Sequence, residues 1–247
     1  MTAIERSPSY YPPIPDKIKI EYENNLRKIM RWESGLLTPS IPESDLEHVR
    51  DMLIFLEDIK QNCIHIPAEV NFTTTSHMIY IHDAGEILAG DLAHTHPNYS
   101  NLKPQVKKKE KAAFRLLTRA IENEATKNLA RELYKRCENK SPNDKEAQLT
   151  DFIDKAQGVR FGVKYVYPGT DIKNPQRRAI QLNQAASVLL KPAEALVWAL
   201  ESPYSKKEAI ELIKKELEIF TSFGYRIKEV QPYLNRVSSF SLNGNHQ

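Results

Sequence analysis

From Lys17 onward, apolar side chains recur at intervals of three and four residues, with Ala, Leu, Glu and Lys filling most of the gaps. That is the period of an amphipathic α-helix made of good helix formers. Strand-type alternation is nearly absent, and the chain contains only 8 glycines to interrupt its helices. The pattern predicts an all-α fold with helices over about 18–33, 43–62, 71–90, 104–122, 126–139, 144–167, 177–200 and 205–221. The second has the clearest start. Ser44 is followed three residues later by Glu47, the spacing of a capping box, ahead of Leu46, Val49, Leu53 and Leu56. His48 then sits in the first turns of that helix.

The flanks read differently. Residues 1–16 carry four prolines and the pair Tyr10–Tyr11, which favours an extended N-terminal arm. PGTDIKNPQRR, at 168–178, has turn chemistry and separates the middle helices from those at about 177–235, while 236–247 ends in the polar tail SLNGNHQ. The expectation is one helical domain over 17–235, large enough to bury a core without disulfides. Cys63 and Cys137 form no C-x-x-C pair and read as reduced thiols.

Charge adds little. Lys and Arg number 35 against 32 Asp and Glu, a balance that points to neither a nucleic-acid polymer nor a membrane and is compatible with a small anionic substrate. The run KKKEK at 107–111 reads first as a solvated helix face, with attraction of a phosphate-bearing ligand as the alternative. The N-terminus has no apolar signal-peptide core, and no segment reaches the roughly 18 apolar residues of a span, so the expected location is cytoplasmic.

Chemistry enters with IHDAGEILAGD, residues 81–91. His82 and Asp83 are ionisable groups in an apolar helical context, which is costly unless they are paired or bound to metal. Glu86 is four residues after His82 and is expected on the same helix face, with Asp91 just past Gly90. A mixed imidazole and carboxylate set suits Mn, Fe, Co, Ni or Zn. His48 and Asp154 also interrupt apolar periodic segments and are the candidates to complete such a set. Of the other histidines, His65 and His77 read as packing or capping residues, His94 and His96 in HTHP as surface loop residues, and His246 as part of the tail.

The order His48, His82-Asp83, Asp154 resembles the metal-binding signature of the HD-domain phosphohydrolase superfamily. IHDAGEILAGDL is similar to H-D-x-x-E-x-x-x-G-D of the 5'-deoxynucleotidase branch, IPESDLEHV to its E-(S/N)-x-x-E-H segment, and KIMRWESGLL to its Arg-Trp pair, here Arg31 and Trp32. The likeness continues through KKKEKAAFRLL and ELYKRC to LTDFIDKAQ, covering roughly residues 20–167.

The resemblance implies an HD-type helical bundle with additional C-terminal helices. Its metal ligands would be His48, His82, Asp83 and Asp154, holding one divalent ion (Mn, Co, Fe, Ni, Zn or Mg), since Glu86 stands where dinuclear relatives have a further histidine. By the same resemblance, Glu86 would orient or deprotonate a water and Asp91 would assist, while Arg31 and Trp32 would bind the substrate. The implied substrate is a nucleoside 5'-monophosphate, preferentially the 2'-deoxy form, and the branch also implies a homodimer. The alternatives are a triphosphate or another phosphomonoester as substrate, or a non-catalytic helical interaction module.

Overall fold

A computed structural model of the chain describes residues 14–31, 39–92, 96–166 and 175–240. Trp32, His94, His246, the first 13 residues of the expected arm and the tail from 241 lie outside the described residues. Among the described residues there is no strand, and the only pairing of that kind is an isolated antiparallel bridge between Met30 and Ser44. The all-α expectation holds.

The helices are α1 (Asp16–Leu26), α2 (Asp45–Asn62), α3 (Ile66–Glu69), α4 (Phe72–Ile81), α5 (Glu86–Ala89), α6 (Tyr99–Arg119), α7 (Glu124–Asn139) and α8 (Lys145–Phe161). A π-helical segment, Gly162–Val166, continues α8, followed by α9 (Pro175–Ala199), α10 (Pro203–Ser222) and α11 (Ile227–Ser238). One hydrophobic cluster runs from Ile14 to Phe240. Ile14, assigned from sequence to the extended arm, is buried in it.

At its centre α8 packs on α2, α4 and α9. Leu149, Phe152, Ile153 and Ala156 on α8 are buried, as are Val49, Met52, Phe55 and Ile59 on α2, and the Phe55 and Phe152 rings meet at 6.3 Å. Each such large side chain contributes roughly 1.5–3 kcal/mol on burial, so the core holds the three helices that carry the candidate ligands against one another.

Capping starts the helices where the sequence places them. Ser44 Oγ accepts from Glu47 N at 3.3 Å and Ser44 N donates to Glu47 Oε2 at 2.8 Å, the expected capping box. Asp144 caps α8 through Ala147 N at 3.0 Å and is clamped by two bonds of 2.7 Å from Arg136. A reciprocal pair of caps ties α3 to α10. Glu208 on α10 accepts from Ile64 N, His65 N and Ile66 N at 2.6, 2.9 and 2.7 Å, while Glu69 on α3 accepts from Glu201 N and Ser202 N at 2.7 and 2.8 Å.

Three sequence expectations need correction. The first helix ends at Leu26 rather than 33, because the chain then runs extended beside the start of α2, with Arg31 N on Glu43 O at 2.9 Å and Asp45 N on Ile29 O at 3.0 Å. The helix expected over 71–90 is broken. It stops at Ile81, turns through His82–Gly85 and resumes as α5, so His82 and Glu86 do not share a continuous helix face. Periodicity could not reveal this, since no proline marks the break and the apolar spacing continues through it. Finally, α11 extends the helical region beyond the last helix predicted.

Candidate metal centre

The core brings the predicted ligands together. His48, on α2, is completely buried; His82 is the residue on which α4 ends, and Asp83 follows it into the turn. One nitrogen from each histidine and one oxygen of Asp83 lie within 4.8 Å of one another. His82 Nε2 is 3.0 Å and His48 Nε2 3.9 Å from Asp83 Oδ2. Asp154, on α8, puts Oδ1 at 3.2 Å from His48 Nε2.

Hydrogen bonding decides what those nitrogens present. His82 Nδ1 is 2.7 Å from the carbonyl oxygen of Ile79, which only accepts, so Nδ1 carries the proton and Nε2 of the neutral ring is a bare lone pair. That Nε2 is buried without a hydrogen-bond partner despite its closeness to Asp83. His48 Nδ1 meets Gln157 Oε1 at 2.5 Å, and the amide is oriented by donating Nε2 to Glu43 Oε1 at 2.7 Å. His48 Nε2 therefore also faces the carboxylates as an acceptor. Two nitrogen lone pairs and the oxygens of Asp83 and Asp154 converge, with Arg31 and Lys155 each donating to one of the two carboxylates, and this set fits a divalent cation bound by mixed N and O ligands.

The charge balance agrees. Burial opposes charge on His82, but the Asp83 carboxylate outweighs it and lifts the imidazole's pKa above its ordinary value. Burial likewise works against ionised Asp83, yet His82, Arg31 and His48 hold its carboxyl well below the usual range. For Asp154 the largest opposing influence to burial is Lys155, whose Nζ is 2.5 Å from Oδ2. The centre favours added positive charge.

A second carboxylate group adjoins the first, with oxygens of Asp45, Asp83 and Glu86 within 4.8 Å of one another. Asp45, fully buried and with neither oxygen hydrogen-bonded, is pushed by burial and by Asp83 to about 8. Burial, then Asp83, raises Glu86 well above its ordinary value. Despite the broken helix, Glu86 thus comes within reach of Asp83, brought there by the turn. Arg31 is wedged among these acids, with Nη1 donating to Asp83 Oδ2 at 3.2 Å and Nε 3.6 Å from Glu43 Oε2.

This cluster lies at the wall of a cavity of about 970 Å³, lined also by Asp91, Lys155 and residues of α6 and α9. Lys103, Lys107 and Lys111 reach it from one face of α6, and Val188, Lys191, Ala195 and Trp198 from α9. Lys107 is tied to Glu110 and Glu138, whereas Lys103, Lys111 and Lys191 have no acidic partner among the described residues. The basic run 107–111 is accordingly only partly a solvated face.

Sequence reasoning missed Gln157, Glu43, Asp45, Lys155 and Trp198. For Glu43, Asp45 and Lys155 the available signal was closeness in sequence to His48 or Asp154; for Gln157, mid-helix, and for Trp198, outside the stretch that carries the resemblance, there was none. The histidines read as structural behave so where they are described in detail. His65 stacks on Tyr204, with centroids 5.2 Å apart, and His96 Nδ1 accepts from Asn98 N at 3.0 Å. Both cysteines are free.

Among solved structures, the chain is similar to a predicted metal-dependent phosphohydrolase from Magnetospirillum magnetotacticum MS-1, at 16% identity and a TM-score of 0.53, over 82% of this chain and 92% of that one. At that identity the likeness is one of fold. A looser match, with a TM-score of 0.45 and 16% identity over 79% of this chain and 94% of the other, is to the cyanophage S-2L HD phosphohydrolase DatZ, bound to dA and one catalytic Zn2+ ion. No curated protein matches the sequence. The family model of the HD domain matches residues 24–189, a span that contains all four convergent side chains, and the chain belongs to the HD-domain family.

Proposed function

We propose that this HD-domain protein is a metal-dependent phosphohydrolase that releases orthophosphate from nucleoside 5'-monophosphates, with a preference for the 2'-deoxy form. The observation that carries the reading is the convergence of two bare imidazole nitrogens and two carboxylates, with His82, Asp83 and Asp154 on one wall of a large cavity with cationic and apolar sides and His48 buried directly behind them. His48, His82, Asp83 and Asp154 would hold the ion. When bound, a divalent ion supplies Lewis acidity to a phosphoryl oxygen and lowers the pKa of a water.

The chain's own residues do the rest. Glu86, beside Asp83 and with one oxygen free of hydrogen bonds, orients the attacking water and holds its proton. Arg31 borders the cavity as well as the acids and offers its guanidinium edge to the phosphate. Trp32 supplies a flat face for base or sugar, and Asp91, at the cavity wall just past the left-handed Gly90, accepts a sugar hydroxyl or assists the leaving oxygen.

The test is turnover of nucleoside mono-, di- and triphosphates with Mn, Co, Mg and Zn, with the products identified. Orthophosphate from a monophosphate is expected; metal binding with no turnover of any of them would refute the reading. One observation favours a second reading, a nucleoside triphosphate as substrate: Lys103, Lys111 and Lys191 around the cavity, which have no acidic partner among the described residues, match a longer anion. Release of pyrophosphate or triphosphate would select it.

A further inference from the structure

His48, Gln157 and Glu43 stand in series, running back from His48 on the side away from the cavity, and all three are buried. Exposure is 0% for His48 and 4% and 2% for Gln157 and Glu43. His48 Nδ1 to Gln157 Oε1 is 2.5 Å and Gln157 Nε2 to Glu43 Oε1 is 2.7 Å. Burying an amide and a carboxylate is costly unless each bond is made, so every member of the series constrains the next.

The direction of the series follows from chemistry. Glu43 accepts, so the NH2 end of Gln157 faces it, with Asp51 flanking the same side chain. The amide oxygen is left for His48, whose Nδ1 must donate. Without that acceptor the neutral imidazole has a better option, placing its proton on Nε2 and donating to Asp154 Oδ1 only 3.2 Å away. That alternative would tie up two of the four ligands against each other.

We infer that Gln157 and Glu43 are positioning residues that hold His48 in its Nδ1–H tautomer, keep Nε2 open, and so set the affinity of the centre for a divalent ion. The inference rests on the proposed role of His48 as a metal ligand. Partners of this kind, one bond removed from a metal, change affinity by about 10- to 100-fold when removed.

The test has two readouts besides activity. Nitrogen-15 NMR of the histidine rings, on the metal-free wild-type chain at a pH where His48 is neutral, reports which nitrogen is protonated. Titration calorimetry with Mn2+ gives affinity for the wild type, for Gln157→Leu, and for the double variant Glu43→Gln/Gln157→Glu. The double variant keeps the charge and the donor order, because the new amide donates to the new carboxylate, which accepts from His48.

The expected results are an Nδ1–H signal for wild-type His48, a loss of about 10- to 100-fold in Mn2+ affinity with transfer of the proton to Nε2 in Gln157→Leu, and restoration of both in the double variant. An Nε2–H wild type overturns the inference whatever the variants do. So does Gln157→Leu binding Mn2+ as tightly as wild type, or a folded double variant that stays weak. A wild type that binds no ion overturns the metal reading itself, and the relay with it; tight wild-type binding with an insensitive Gln157 removes the relay alone.

Discussion

Gly85→Ala puts a single methyl group where the turn after His82 and Asp83 meets α6. Gly85 has φ −67° and ψ −27°, a conformation open to any residue, so the substitution strains no dihedral. In free space it would stabilise the fold by about 0.4–1 kcal/mol through the unfolded chain's lost freedom. Space is what is missing. A Cβ built there lies 2.6 Å from Glu110 Cβ, 2.9 Å from Glu110 Cα and 2.7 Å from Tyr134 Oη.

None of these neighbours yields easily. Glu110 Cα is helix backbone, and the Tyr134 ring is stacked on Phe114 at 3.9 Å with planes 10° apart. Overpacking of this kind costs roughly 1–3 kcal/mol, which leaves a net loss of about 0–2.6 kcal/mol, centred on about 1.3. Urea unfolding should show a lower midpoint at unchanged slope. Turnover should fall too, because Glu86 is the next residue and moves with the turn. A variant more stable than wild type would refute the packing argument, since the two effects have opposite signs.

Three further outcomes are expected. Asp83→Ala should abolish phosphatase activity while leaving the fold intact, and Glu86→Ala should lower kcat far more than Mn2+ affinity; activity kinetics beside calorimetry check both. Lys155→Met removes the cation that, against burial, holds Asp154 below its ordinary range, so the pKa of Asp154 rises and the acid limb of the pH–activity profile should move to higher pH. Glu229, held at about 2 first by its bonds to Arg226 and then by Arg178, stabilises the start of α11 above the unfolded pKa near 4.5, an effect lost as pH falls toward 2. Glu229→Gln should cost about 1 kcal/mol or less at neutral pH and nothing at the acid end, read by thermal unfolding.

The helical class and the four convergent residues were legible because both are local in kind. Amphipathic spacing marks a helix wherever it packs, and a histidine or aspartate in an apolar stretch is conspicuous anywhere. The break at His82–Gly85 was not legible. It depends on a close approach of Gly85 to Glu110, twenty-five positions away, and apolar spacing is the same with or without it. Gln157 was invisible for a related reason: a glutamine mid-helix looks like a solvent-facing residue until Glu43 and His48, more than a hundred positions upstream, are placed on either side of it.

The crossed caps of Glu208 and Glu69 set a different kind of constraint, one on chain length rather than residue type. The family match stops at residue 189, but Glu208 serves three amides of the α3 entry while Glu69 serves two at the entry to α10. One residue inserted between Ser202 and Glu208 would rotate Glu208 by roughly 100° about the helix axis, away from its amides, with Glu69 still fastened at the other end. Substitutions on the outer face of this stretch of α10 are tolerable; insertions and deletions within it are not.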